Sequence, residues 1–157
     1  MRIMIAAVGR FGASRGKVGA EKSLFEGYAR RLSFPFTLKE VEEKKPLTPE
    51  LLKKAEAEKL RASMPAGAIT VALDSRGKTM GSEPFAQRLQ GWRDEGVSDL
   101  VFLIGGAEGF DKSITDQANL VLGLGPMTWP HMLARVMLIE QIYRAQCIMT
   151  GHPYHRD

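Results

Sequence analysis

The sequence predicts an α/β fold, a parallel sheet sandwiched between helices on both faces. Three observations carry this. Apolar, β-branched runs alternate with stretches of helical period along the chain. Two of those runs, 68–73 and 100–104, are apolar enough for strands buried on both sides. No internal repeat, low-complexity tract or long linker divides the 157 residues, so residues 1–157 read as a single domain with room for a real core.

The elements follow in order. Arg2–Val8 is the first strand. Residues 20–32 form a helix with Leu24, Tyr28 and Leu32 on one stripe. Phe36–Val41 is the second strand. Thr48-Pro49-Glu50-Leu51 starts a helix, with threonine as N-cap and proline in the first turn. It runs to about Ser63, with Lys and Glu on its wet face. Residues 68–73 make a third strand, 82–95 a helix behind a glycine, and 100–104 a fourth strand. Residues 111–117 form a short helix and 120–124 a fifth strand. Thr128-Trp129-Pro130 opens a long last helix that ends near Thr150, with Gly151 as its stop. The glycine-rich stretch 9–16 reads as a mobile surface loop.

Composition excludes several classes. Apolar residues are 44% and charged residues 25%, as in soluble globular proteins, and no apolar run approaches the roughly 18–20 residues of a membrane helix. The opening MRIMIAAVG is short, is followed by Arg10 and Arg15, and lacks a small-residue cleavage site, so it reads as a strand and not a signal peptide. The lone Cys147 allows no internal disulfide and no zinc cluster, which fits a reducing cytoplasm. The formal net charge is +4. Basic residues gather early: Arg2, Arg10, Arg15, Lys17, Lys22, Arg30 and Arg31 face only Glu21 and Glu26 over residues 2–31. That permits a nucleic-acid partner and fits a merely lopsided solvated surface as well.

In an open parallel sheet, ligands bind beyond the carboxyl ends of the strands. Three stretches fall there: Leu73-Asp74, Ile104-Gly-Gly-Ala-Glu-Gly-Phe110, and Leu122-Gly-Leu-Gly-Pro-Met-Thr-Trp-Pro-His131. None spells a dinucleotide or Walker fingerprint, so a phosphate cradle is a weak reading. Gly105, Gly106 and Gly109 with Gly123 and Gly125 admit two readings. They are tight turns, or they let a flat ring such as adenine approach bare backbone between Leu73, Ile104, Leu124 and Met127.

The last helix places Glu140 and Arg144 at i, i+4, the favourable order for a helical ion pair. Its apolar residues occupy much of its circumference, which implies burial on more than one side and suggests a dimer seam. The tail GHPYHRD holds two of the three histidines. Either it is a capping turn, or His155 handles protons near neutral pH, Tyr154 stacks on or bonds a base, and Arg156 and Arg144 hold phosphate. The spacing of His152 and His155 completes no familiar metal site.

The ordered combination Val71-Ala-Leu-Asp74, Gly77-Lys78, Phe102-Leu-Ile-Gly-Gly-Ala-Glu-Gly109, Met127-Thr-Trp-Pro-His131, Glu140-Gln-Ile-Tyr-Arg-Ala145 and His152-Pro-Tyr-His-Arg156 resembles the ribosomal RNA large subunit methyltransferase H family, a compact branch of the SPOUT methyltransferases. The likeness runs from about residue 70 to the end and is looser before that. It implies a SPOUT-type fold whose C-terminal half is tied in a trefoil knot. It implies a homodimer that transfers a methyl group from S-adenosylmethionine to ring nitrogen 3 of a pseudouridine in large-subunit (23S) ribosomal RNA within the assembled ribosome, without metal or membrane. Carried over by position, the cofactor falls to Leu73, Gly105, Gly106, Leu124, Gly125, Pro126, Met127, Thr128, Trp129 and Pro130. The tail is implied to lie beside the cofactor, and Glu140, Arg144, Tyr154, His155 and Arg156 are the candidates for the chemistry. Relatives often carry serine where this chain has Gly123 and Gly125, which removes any hydroxyl contact there. The competing expectations are a ribosome-binding assembly factor without catalysis, and an adenine-nucleotide enzyme of another kind.

Overall fold

The computed structural model describes residues 1–14 and 17–156. Five strands form one sheet: β1 (Arg2–Val8), β4 (Phe36–Val41), β5 (Ile69–Lys78), β6 (Asp99–Ile104) and β7 (Leu120–Leu122). Their order is β4-β1-β6-β5-β7, and each adjacent pair is parallel. Helices α1 (Ala20–Ala29), α2 (Pro49–Ser63), α3 (Ser82–Asp94), α4 (Lys112–Gln117) and α5 (His131–Thr150) cover it.

The pleat divides the core. Ile3, Ile5, Ala7, Val71, Leu100, Phe102 and Ile104 face Phe25 of α1, Phe85 and Leu89 of α3, and Leu138, Ile139 and Ile142 of α5. Ala6, Val8, Ala72, Val101 and Leu103 face Ala57 and Leu60 of α2 and Ile114 of α4. Side chains on a strand alternate between faces, so unbroken apolar runs are what a doubly covered sheet requires. Full burial of a residue such as Phe102 or Leu100 contributes roughly 1.5–3 kcal/mol.

Some boundaries differ from the sequence expectation, each for a physical reason. The third expected strand continues past Leu73, because β5 shifts register between Leu73 and Lys78 and Lys78 then pairs with Leu122. Leu73 and Asp74 therefore belong to an irregular strand and not to a loop. Strand β7 stops at Leu122, two residues early, and α5 starts at His131 with Pro130 as its N-cap. Helix α1 ends at Ala29 and buries Phe25, while Leu24 stays 53% exposed. Leu24 faces a groove and not the core, while Tyr28 packs at the core's edge and lines the same groove. In the 9–16 stretch, β2 (Ala13–Ser14) pairs antiparallel with β3 (Lys17–Val18), and Arg15 and Gly16 lie outside the described residues. The apolar circumference of α5 is satisfied largely within the chain, since α5 packs on the sheet and on both α1 and α3. Thr48 caps α2 by accepting from the Leu51 N–H, and Gly151 ends α5 in the left-handed conformation at φ 67°, both as the sequence indicates.

Candidate cofactor and catalytic site

A cavity of about 380 Å³ lies beyond the carboxyl ends of β5, β6 and β7. Leu73, Asp74 and Ser75 come from β5. Ile104, Gly105, Gly106, Ala107, Gly109 and Phe110 come from the end of β6 and its loop. Leu124, Gly125, Met127, Thr128, Trp129, His131 and Ala134 come from the β7–α5 loop and the first turn of α5. The volume is in the range of small-molecule sites. The walls are mainly apolar, and polar groups are few, as an adenosyl ligand needs. Met127 is 69% exposed and Trp129 40%, large apolar surfaces that a ligand or partner would cover.

Several of the glycines sit in crowded positions. A Cβ on Gly106 would lie 3.0 Å from both carboxyl oxygens of Glu56 and 3.1 Å from Val8. A Cβ on Gly105 would lie 3.2 Å from Gly109 and Phe110. Across the β5–β7 junction, a Cβ on Gly77 would fall 2.6 Å from the Leu122 carbonyl carbon, and one on Gly123 2.8 Å from the Gly77 carbonyl oxygen. Gly125 has a φ of 102°, where a side chain is strained. Gly123 is thus fitted to glycine by the backbone opposite it, and Gly125 by its own positive φ.

Two polar side chains fasten this region from α5. The His131 Nε2 lies 2.5 Å from the Gly105 carbonyl oxygen and joins the loops after β6 and β7. Burial lowers the pKa of His131, and nearby Arg135 lowers it further, against the opposing pull of the Gly105 hydrogen bond. Arg135 is fully buried. Its Nη2 donates to the carbonyls of Val8 and Gly9, both at 2.9 Å, and its Nη1 donates to Glu40 at 2.8 Å. Glu40 also accepts from the Phe11 N–H, and the Arg135 guanidinium lies 4.8 Å from the centre of the Phe11 ring. Behind the glycine loop, burial raises the pKa of Glu56, reinforced by Glu108 and Glu43.

The tail makes a second cluster. Arg144 donates to Glu140 through Nη2 at 2.7 Å and Nε at 3.0 Å. The Tyr154 hydroxyl donates to the same Glu140 oxygen at 3.0 Å and lies 3.3 Å from the Tyr28 hydroxyl. The Arg144 Nη1 donates to His155 Nδ1 at 3.3 Å, and His155 Nε2 stands 3.9 Å from Glu83. The Tyr154 ring packs against Tyr143, and Arg31 lies 4.1 Å from the Tyr143 ring centre while donating to its hydroxyl. Burial, then the bonds to Tyr28 and Glu140, hold the Tyr154 pKa far above the usual phenol value. Tyr154 is therefore a hydrogen-bond donor and not a base. Arg156 is exposed at the end of the described chain.

The sequence-predicted residues thus fall into two groups. Leu73, Gly105, Gly106, Leu124, Gly125, Met127, Thr128 and Trp129 line the cavity. Pro126 and Pro130 shape the β7–α5 loop without lining it. Glu140, Arg144, Tyr154 and His155 form the tail cluster, which shares no lining residue with the cavity. Between the two lies a groove of about 560 Å³. Leu24, Tyr28, Met80, Val136, Met137 and Glu140 line it, and it meets the cavity at Leu124 and Gly125. His131, Arg135 and Glu56 were not among the site residues expected from sequence, although His131 closes two of the quoted stretches. The first two had a signal in the Pro130-His131 helix start and the i, i+4 spacing to Arg135. Glu56 had none, because it looks like one more wet-face glutamate of α2. Among the described residues no cluster of His, Cys, Asp and Glu could hold a metal ion, and no helix is long and apolar enough to cross a membrane.

Comparison with known proteins fits this geometry. The protein from Paramagnetospirillum magneticum named "Ribosomal RNA large subunit methyltransferase H" is 54% identical over 156 residues, covering 99% of each chain. The Rhodospirillum centenum protein of the same name is also 54% identical over 156 residues, with 99% of each chain covered. Among solved structures, a probable methylase family protein from Haemophilus influenzae superposes over 99% of this chain and 70% of its own, with a TM-score of 0.53 at 8% identity, a likeness of fold alone. The model of the family described as "Predicted SPOUT methyltransferase" matches residues 1–155, and the chain belongs to that family of S-adenosylmethionine-dependent methyltransferases.

Proposed function

We propose that this protein methylates large-subunit ribosomal RNA, at ring nitrogen 3 of a pseudouridine and on the assembled ribosome, in the cytoplasm. The observation that carries the reading is the glycine-walled cavity, which leaves backbone N–H and C=O groups beside an apolar slot at the carboxyl ends of three parallel strands. Relatives of the same length and at 54% identity bear the name of an enzyme acting on that RNA. Residues 1–157 act as one domain in this reading, and its C-terminal half is tied in a trefoil knot.

S-adenosylmethionine, when bound, supplies an electrophilic methyl group on a sulfonium. The chain's residues do the rest. Leu73, the two glycine loops and the segment from Gly125 to Trp129 hold and orient the adenosyl part. Met127 and Trp129 exclude water from the slot. Tyr154 stays a phenol, and its hydroxyl, once released from Glu140, donates a hydrogen bond to the base. His155 accepts the ring-nitrogen proton after Arg144 releases its Nδ1, and Arg156 and Arg144 hold phosphate. Positioning of this kind replaces a random encounter by an oriented one.

Tail and cavity do not meet within one chain. A homodimer formed across the groove between α1 and α5 brings the tail of one copy to the cavity of the other. The apolar lining and the exposed Leu24 support that seam.

The test is transfer of labelled methyl to ribosomes from cells lacking this protein, compared with separate subunits and naked RNA. Label in large-subunit RNA of assembled ribosomes is the expected result. Tyr154→Ala and His155→Ala will lower transfer by at least about 100-fold, in line with loss of general acid–base help, while binding of S-adenosylhomocysteine stays within about twofold by calorimetry. Ribosome binding without transfer would instead indicate an assembly factor.

A further inference from the structure

The Gly105-Gly106 peptide forms part of the cavity wall. It is flanked by two glycines, so no Cβ on either side resists rotation of its plane. A side chain added at either position would meet close neighbours. A Cβ on Gly106 would press on Glu56 and Val8, and one on Gly105 on Gly109 and Phe110. The orientation of this peptide decides which of its groups faces a ligand, because the C=O and N–H of a trans peptide point in opposite directions. The Gly106–Gly109 bridge holds one side of it, and the side chain in contact with its carbonyl is His131, with Nε2 2.5 Å from the Gly105 oxygen.

We propose that His131, held as its Nε2–H tautomer, is a positioning residue for the cofactor, locking the Gly105-Gly106 peptide and the spacing of the two loops that wall the cavity. The geometry fixes the tautomer. A carbonyl oxygen only accepts, so Nε2 carries the hydrogen. A second proton would sit on Nδ1, in the first turn of α5 and near Arg135. The helix dipole and the guanidinium both disfavour a cation there. Glu40 does not offset this, since Arg135 engages it, and Asp74, across the cavity, is bonded to Arg76. The uncharged donor also adds no repulsion toward a ligand whose sulfur is cationic. A lysine or arginine could reach the same carbonyl, and would bring that repulsion with it.

The inference rests on the cavity being the S-adenosylmethionine site, and two measurements separate the two ideas. First, ring nitrogen correlation spectra of the full-length protein at pH 7 and without ligand report the tautomer directly. His131 is expected as Nε2–H with a slowly exchanging ring proton, and an Nδ1–H tautomer or an imidazolium would overturn the proposal whatever the cavity binds. Second, His131→Gln keeps an N–H donor at the place of Nε2, whereas His131→Met keeps the bulk without it. With S-adenosylhomocysteine as probe in calorimetry, H131M is expected to bind at least tenfold more weakly than wild type, and H131Q within threefold. Wild-type affinity in H131M, or equal losses in both folded variants, would overturn it. Failure of the wild-type protein to bind the probe would overturn the site assignment instead, and with it the cofactor role of His131, while the spectrum still decides the tautomer and the clamp.

Discussion

At the scale of single residues, environment rather than residue type sets the chemistry. Glu56 sits in a helix full of solvated lysines and glutamates, yet its carboxyl is buried against Gly106. Burial, with Glu108 and Glu43, raises its pKa above the ordinary carboxylate value. The folded state therefore binds the proton more tightly than the unfolded chain does. Stability is undiminished at low pH and falls as pH rises above the unfolded value toward the folded one. Glu56→Gln removes that fall. Its melting temperature relative to wild type will be higher at pH 7.5 than at pH 4.5, measured by scanning calorimetry at fixed protein concentration. An unchanged difference across that range would show that the carboxyl is solvated. Tyr154 follows the same logic at the alkaline end, where its neutral phenol is favoured by the fold.

Between elements, contacts of backbone on backbone decide what a position tolerates. Gly77 is the tightest, because β5 and β7 cross there with no room for a methyl group. Gly77→Ala will destabilise the protein by roughly 3 kcal/mol, toward the upper end for overpacking, read as a lowered urea midpoint with unchanged slope. Arg135 shows the opposite case, a buried charge that joins elements. It ties the first turns of α5 to the ends of β1 and β4 through Val8, Gly9 and Glu40. Arg135→Met keeps the volume and leaves Glu40 and two carbonyls without that donor. The expected loss is about 3–5 kcal/mol, as for breaking a buried ion pair, and the same urea titration measures it.

For the whole molecule, the groove between α1 and α5 is the feature that no single chain fills. It is apolar, it carries Leu24 at 53% exposure, and it separates the tail cluster from the cavity. Leu24→Glu puts a charge into the proposed seam. Sedimentation velocity at micromolar concentration will find monomers, S-adenosylhomocysteine binding will persist, and methyl transfer will be lost. Dimers with normal transfer would place the seam elsewhere.

Local patterns suffice for the layered parallel sheet, the order of its five strands and five helices, and the two glycine loops. Those depend on local periodicity, turn residues and caps such as Thr48 and Gly151, which act within a few neighbours. Local spacing also indicated the Glu140–Arg144 ion pair, whose members stand one helical turn apart on α5. Which glycines are irreplaceable depends on packing between distant segments, because Gly77 and Gly123 meet across 46 residues of chain. Such packing alone separated Leu24 from Phe25, which differ only in which side of α1 faces the sheet. It alone drew Glu56, His131 and Arg135 to the back of the cavity. Burial and hydrogen-bond partners arise from segments far apart in sequence, and no local pattern encodes who the partner will be.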